Sequence, residues 1–281
     1  MMKLSIGFSP CPNDTFIFDA LVNGKIDTGD IEFEPVLEDV QTLNQWAIQG
    51  RLDVTKISYG VLPNILSHYV MLNSGGAMGR GVGPLLITTA NKSRLSIEEL
   101  SQLPVAIPGE NTTAHLLLSH ALPAFQQKKF MLFHDIEEAV VTGKVASGVI
   151  IHENRFTYAD KGLVLLYDLG KFWEESLNSP IPLGGIAMKR TFPLEIQRQV
   201  DELIQTSLRQ AEEALPQLSA YVQLHAQEMD PSVQRKHIDL YVNEFSREAG
   251  AEGKKAVQVL MELYHRLKGG TSTITQDIFI G

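Results

Sequence analysis

The order of predicted elements at the start of the chain recurs after residue 100, and this repeat restricts the fold more than any other sequence feature. Residues 3–58 read as strand, helix, strand, helix and strand, and residues 104–152 read the same way. Strands that alternate with helices predict βαβ units and a largely parallel sheet. We therefore expect an α/β protein with two similar lobes.

The two halves also match in local chemistry. Each half carries the pattern Pro-x-x-Asn-x-Thr where its first strand leads into its first helix, at residues 10–15 and 108–113. A glycine and a basic residue then follow the second helix of each half, at Gly50 and Gly143. The same pattern at equivalent points supports an internal duplication.

The rest of the chain differs from the repeat. Residues 184–281 are mainly helical in pattern, and we expect these C-terminal helices to pack on the first lobe, with residues 249–253 as a loop between helices. The chain would then cross between the lobes near residues 86–92 and 182–188. The glycine-rich residues 74–84 are expected to form a flexible loop at the hinge or the cleft rim.

These crossings predict how the domains are divided. The large lobe would contain residues 1–88 and 186–281, and the small lobe residues 89–185. Two connections between lobes make a hinge, and the cleft beside a hinge is the expected ligand site.

Charge and composition restrict the partners. The 281 residues include 24 Lys and Arg and 33 Asp and Glu, a net charge of −9. We expect no binding to nucleic acid or anionic membrane, because both need a cationic surface.

The single cysteine, Cys11, excludes an internal disulfide and a multi-thiolate metal site. Without a recognisable signal peptide or an apolar run of roughly 18 residues, a cytoplasmic protein is expected.

Ligands of open α/β sheets bind beyond the carboxyl ends of the strands, and this rule selects the helix start at residues 111–114. Asn or Thr there can cap the helix, and the free N–H groups and the helix dipole then suit a carboxylate or phosphate. The alternative is an ordinary cap without a ligand.

Lys56 and Ser58 lie two residues apart at the end of another predicted strand, so they share a face. They are candidates for an anion clamp and a hydroxyl donor. The alternative is a lysine that extends from the strand edge into solvent.

His152 follows an apolar strand and is the candidate general base, because imidazole exchanges protons near neutral pH. His134 is its rival by position. His115 and His120 are expected to be solvated or packed. The other histidines are expected on surface helices: His68, His225, His237 and His265.

Four segments together resemble the 1,4-dihydroxy-6-naphthoate synthases of the futalosine route of menaquinone synthesis. They are SPCPNDTFIFDAL, GRLDVTKISYGVLP, GRGVGPLL and IPGENTTAHLLL. The resemblance implies a two-lobed, periplasmic-binding-protein-like (type II) fold with a central cleft and extra C-terminal helices. It also implies a carbon–carbon lyase that converts cyclic dehypoxanthinylfutalosine to 1,4-dihydroxy-6-naphthoate, without a metal or other cofactor.

The resemblance also assigns residues. The family's base falls on His152, and its substrate contacts fall on the following positions: Asn44, Lys56, Ile57, Ser58, Thr112, Thr113 and Ala114. The expected partner is a small carboxylate substrate. Two alternatives remain open, a chorismate dehydratase of the same pathway and a non-catalytic protein that binds small anions. The oligomeric state, the group that binds the substrate carboxylate and the roles of Cys11 and His134 stay open as well.

Overall fold

The computed structural model describes residues 1–226, 230–270 and 276–281. In these residues the chain forms two mixed β-sheets. The strands are β1 (Met2–Phe8), β2 (Ile31–Leu37), β3 (Val54–Ser58), β4 (Tyr69–Met71), β5 (Ala77–Gly79), β6 (Leu85–Thr89), β7 (Val105–Ile107), β8 (Lys128–Phe130), β9 (Ser147–Ile150), β10 (Leu163–Asp168) and β11 (Ile181–Lys189).

Helices cover the faces of both sheets. They are α1 (Pro12–Val22), α2 (Val40–Ile48), α3 (Leu62–Ile65), α4 (Ile97–Ser101), α5 (Thr113–Ala121), α6 (Ile136–Val141), α7 (Asn154–Thr157), α8 (Leu169–Leu177), α9 (Leu194–Glu213), α10 (Ala220–His225), α11 (Pro231–Tyr241), α12 (Glu244–Arg247) and α13 (Gly250–Leu267).

The structure confirms the internal repeat. The first sheet has the order β2-β1-β3-β11-β4, with β5 beside β11, and the second has the order β10-β6-β9-β7-β8. In each half, the first strand of the repeat is central and its two successors pair with it in parallel, one on either side. The carboxyl ends of these parallel strands define one edge of each sheet.

The prediction of largely parallel sheets is wrong, because both sheets also contain antiparallel pairs, among them those of β4, β5 and β10. β11 pairs antiparallel with β3, and β6 pairs antiparallel with β9. Both strands follow a crossing between the lobes. Gly184 near the start of β11 pairs with Ser58 at the end of β3, and Leu85 at the start of β6 pairs with Ile150 at the end of β9. A strand that enters its sheet at the carboxyl edge has to run against the parallel strands.

The crossings also lie earlier than predicted. The chain leaves the first sheet after β5 and enters the second at β6, within residues 80–84, and it returns after α8. The glycine-rich residues 74–84 contain β5, so they are not a loop throughout. The division into residues 1–88 with 186–281 and residues 89–185 stays a prediction, and its two boundaries fall inside β6 and β11.

The C-terminal helices pack on the first lobe, as expected from the sequence. Val200, Ile204 and Leu208 of α9 join one buried apolar cluster with Ile17 and Leu21 of α1. Ser207 of α9 crosslinks the same helices, since its Oγ donates to the Ile17 carbonyl at 2.6 Å and accepts from the Leu21 N–H at 3.0 Å.

Residues 249–253 are not the predicted loop. α13 begins at Gly250, so most of this segment is the first turn of a helix. The glycines and alanines of this segment favoured a loop in the sequence, but Gly253 serves close packing within a helix. A Cβ atom at Gly253 would lie 2.7 Å from the Met78 sulfur. No helix within residues 1–226, 230–270 and 276–281 combines the length and apolarity needed to span a bilayer.

Candidate active site in the cleft

A cavity of about 660 Å³, its open mouth included, lies between the two sheets. Most of the predicted site residues line it together: Lys56, Ile57, Ser58, Thr112, Thr113, Ala114 and His152. The cavity therefore combines strand ends of the first lobe with a helix start and a histidine of the second.

Asn44 is the one predicted site residue that does not line the cavity. Its fully buried side chain lies behind Ser58 instead. The Asn44 amide oxygen accepts from the Ser58 N–H at 2.8 Å, and its Nδ2 donates to Ser58 Oγ at 3.1 Å and to the Asn111 carbonyl at 3.1 Å. Asn44 thus links the lobes, and because Ser58 Oγ accepts from it, the Ser58 hydroxyl proton points to other acceptors.

Thr112 and Thr113 use their hydroxyls within the protein. Thr112 caps α5, its Oγ1 accepting from the His115 N–H at 3.2 Å. Thr113 Oγ1 accepts from the Gly60 N–H at 3.0 Å and donates to the Leu183 carbonyl at 2.8 Å. The N–H groups of Thr113 and Ala114 open the helix and have no intrahelical acceptor, so the backbone at this helix start is a candidate anion receptor at the cavity wall.

Gly60 sets how closely the lobes approach at this point. A Cβ atom there would lie 2.6 Å from the carbonyl carbon of Thr112, which belongs to the other lobe. Backbone cannot rotate away as a side chain can, so any larger residue has to separate the lobes.

We predict that Gly60→Ala opens the cleft and costs about 1–3 kcal/mol of stability through overpacking. Small-angle X-ray scattering should give a larger radius of gyration than the wild type. Gly76→Ala is the matched control, since its nearest neighbour is 3.4 Å away. Superimposable scattering profiles for Gly60→Ala and the wild type would show that the contact does not hold the lobes together.

Lys56 neither reaches solvent nor carries an unbalanced charge. Its side chain is almost completely buried, and its Nζ lies 2.9 Å from Asp14 Oδ1 and donates to the Gly75 carbonyl at 2.8 Å. Asp14 is held in turn by Ser9, whose hydroxyl donates to Oδ2 at 2.7 Å, and by Asn13, whose Nδ2 donates to Oδ1 at 2.9 Å. The alternative of a solvent-exposed lysine is therefore wrong, and the cavity wall contains a buried ion pair.

Breaking this pair should be strongly destabilising. Asp14→Asn leaves the Lys56 ammonium buried without its counter-charge, which we expect to lower the free energy of unfolding by about 3–5 kcal/mol. Urea denaturation measures the change. The control is Glu34→Gln in the exposed Lys3–Glu34 pair, also 3.0 Å long, which should change stability by less than about 1 kcal/mol. Equal effects of the two substitutions would refute the role given to Asp14.

His152 follows β9, as predicted, and lines the cavity. Its backbone conformation is unusual for a residue other than glycine. Its φ of 55° lies in the left-handed region. The ring packs against Phe133, at a centroid distance of 4.9 Å, and lies 6.0 Å from the His237 ring, with the planes of the two histidines 9° apart. Burial lowers the His152 pKa from 6.5 to about 4, so the imidazole is neutral at pH 7.

His237 is buried, so its predicted place on a surface helix is wrong. It lies on the inner face of α11 with Gln234, Ile238 and Tyr241, and Tyr241 also lines the cavity. The spacing of Ile238 and Tyr241 marks an apolar helical stripe that includes position 237, and this signal was present in the sequence. The other predicted surface histidines remain apart from the cavity lining.

His134 and Cys11 differ in their relation to the site. The His134 side chain is 44% exposed and pairs with Asp135, so it does not compete with His152. Cys11 is fully buried, and one ligand atom each of Cys11, His152 and Glu153 lie within 4.8 Å of one another. A cation would need the thiolate, but burial and the neighbouring Glu153 raise the thiol pKa well above its ordinary value. The expectation of no metal stays a prediction.

Comparison with known proteins agrees with this architecture. A family model described as menaquinone biosynthesis matches residues 4–266. The chain belongs to the menaquinone biosynthesis family. A Thermus thermophilus relative named 1,4-dihydroxy-6-naphthoate synthase is 46% identical over 92% of this chain and 92% of its own length. A Streptomyces coelicolor relative of the same name is 41% identical over 92% and 91%.

Solved structures give the fold of this family member. A crystal structure of an Archaeoglobus fulgidus protein has a TM-score of 0.88 at 32% identity and covers 95% of this chain and 98% of its own. The periplasmic aliphatic sulphonate binding protein of Escherichia coli has a TM-score of 0.65 at 15% identity, covering 99% and 91%. The resemblance to a periplasmic-binding-protein-like fold with two lobes is thereby confirmed.

Proposed function

We propose that this chain is a carbon–carbon lyase that converts cyclic dehypoxanthinylfutalosine to 1,4-dihydroxy-6-naphthoate, with His152 as general base. The observation that carries the proposal is that a neutral imidazole of one lobe shares a cavity with Ser58 and Lys56 of the other. The names of the two relatives support the same reaction. Action in the cytoplasm, as expected from the sequence, belongs to this proposal.

Binding of the substrate carboxylate needs a local receptor, because the protein carries a net charge of −9. The Lys56 ammonium is balanced by Asp14 and supplies little net charge. The N–H groups of Thr113 and Ala114 and the Ser58 hydroxyl are uncharged donors at the cavity wall. We therefore assign the carboxylate to the start of α5, facing Ser58, where the helix dipole also favours an anion.

His152 then removes a proton from the bound substrate. The ring is deprotonated at working pH, so essentially every molecule holds the base in its active form. The bond between two carbons breaks as the electrons left by the proton move into the ring system, and formation of an aromatic ring favours the products. A base with so low a pKa holds its proton weakly and gives it up readily once the bond has broken, so the neutral ring is restored for the next cycle.

Mass spectrometry of the wild-type protein tests the reaction. Incubation with cyclic dehypoxanthinylfutalosine should yield 1,4-dihydroxy-6-naphthoate, and incubation with chorismate should leave chorismate unchanged. Loss of water from chorismate would instead identify a chorismate dehydratase. Recovery of both compounds unchanged, with binding detected by calorimetry, would identify a small-anion binding protein.

The general base is tested by substitution and by pH. His152→Asn should lower kcat by about 10²–10⁴-fold, whereas His134→Asn, at an exposed histidine of the same lobe, should leave it unchanged. Because the base works deprotonated and its pKa is about 4, kcat/KM of the wild type should not fall with decreasing pH near 6.5, the ordinary value. A His152→Asn enzyme with wild-type kcat at saturating substrate contradicts the assignment.

A further inference from the structure

The serine and threonine hydroxyls in the cavity wall differ in what they can offer a ligand. Among the described residues, four of them line the cavity: Ser9, Ser58, Thr112 and Thr113. Ser9 donates its hydroxyl hydrogen to Asp14 Oδ2 at 2.7 Å. The two threonines donate theirs to backbone carbonyl groups, at 2.8 Å in each case. Three of the four hydrogens are therefore already bound to acceptors of the protein.

The Ser58 hydroxyl is the exception. Its oxygen accepts from Asn44 Nδ2 at 3.1 Å, but no group in the described part of the chain accepts its hydrogen. Ser58 is only 6% exposed, and a buried donor without an acceptor is unfavourable. The Ser58 hydrogen is thus available to an acceptor atom of a ligand in the cavity.

The amide of Asn44 cannot take this hydrogen, because its orientation is fixed from two sides. The Ser58 N–H only donates, and it lies 2.8 Å from one end of the amide, so that end is the oxygen. The Asn111 carbonyl only accepts, and it lies 3.1 Å from the other end, so that end is the nitrogen. The nitrogen also faces Ser58 Oγ and has only hydrogens to offer it. A rotated amide would lose both backbone bonds.

Asn44 also connects Ser58 to the start of α5 in the other lobe. Gln41 lies one helical turn before Asn44 on α2, and both side chains bind Asn111. Gln41 Oε1 accepts from the Asn111 N–H at 3.2 Å, and Asn44 Nδ2 donates to the Asn111 carbonyl. Asn111 directly precedes Thr112, the cap of α5. One amide therefore holds the Ser58 hydroxyl in a fixed position relative to the free N–H groups of α5.

We propose that Asn44 is a positioning residue that keeps the Ser58 hydroxyl a donor and aligns it with the start of α5, so that the cleft selects a ligand with an ionised carboxylate there. Such a carboxylate accepts several hydrogen bonds and brings no hydrogen of its own, which suits a place where the protein offers only donors. Asn44 acts through Ser58 and does not touch the ligand. The proposal rests on the proposed function, which puts the substrate carboxylate at this point.

Calorimetry of the full-length protein tests this role. The probes are 1,4-dihydroxy-6-naphthoate and 1,4-dihydroxynaphthalene, which has the same rings without the carboxylate. Ser58→Ala removes the hydroxyl, and Asn44→Leu removes the amide at similar volume. Each should lower the preference for the naphthoate, measured as the ratio of the two Kd values, by about 10-fold or more, because a hydrogen bond to a charged group is lost. Wild-type protein that binds both compounds equally would overturn the proposal.

Gln41→Leu is the matched control, since it removes the other α2 bond to Asn111 and no bond to Ser58. It should leave the ratio of the two Kd values within about twofold of the wild type, because it weakens the contact between the lobes for both compounds alike. The double variant of Asn44→Leu and Ser58→Ala should be no less selective than Ser58→Ala alone. If Asn44→Leu behaves like Gln41→Leu, or if the effects at positions 44 and 58 multiply, the role of Asn44 is refuted.

A measurement without a ligand tests the orientation of the amide and needs no substitution of Asn44. In protein labelled with ¹⁵N in its asparagine side chains, both Nδ2 hydrogens of Asn44 should exchange slowly with deuterium oxide. Ser58→Ala should shift the resonance of the hydrogen that faces Ser58 Oγ more than that of the other. Unchanged resonances would overturn the proposal. If the wild type does not convert cyclic dehypoxanthinylfutalosine, the proposed function fails, and calorimetry and these resonances still decide the role of Asn44.

Discussion

The cleft depends on where the chain enters each sheet after crossing between the lobes. Both β6 and β11 begin at the carboxyl edge of the parallel strands beside them, so both have to run antiparallel. This arrangement points the carboxyl ends of β3 and β9 at one shared space. Ser58 and His152, which end or follow those strands, face the same cavity because of it.

Burial determines the chemistry of that cavity. The protein is acidic overall, yet the charges at the cavity wall are matched, with Asp14 against Lys56. A region without net charge can hold a neutral imidazole and can accept a carboxylate at a helix start. The same burial makes His152 a weaker base than a solvated histidine.

The sequence was sufficient to predict features that depend on local pattern. The repeated Pro-x-x-Asn-x-Thr turns marked the starts of α1 and α5, and the apolar run before His152 marked a strand end. Strand direction was not predictable for β6 and β11, because the pattern of a buried strand is the same in either direction. Asp14 and His237 were missed because their roles come from partners that are distant in the chain, and Lys56 was ambiguous for the same reason.

The left-handed backbone of His152 distinguishes this residue from its neighbours. Glycine adopts such a φ freely, whereas a residue with a Cβ atom loses about 1–2 kcal/mol there. Position 152 is thus a place where the main chain alone would favour the smallest amino acid. A histidine at that point lowers the folding stability of the whole protein, and in return it places one imidazole ring in the cleft.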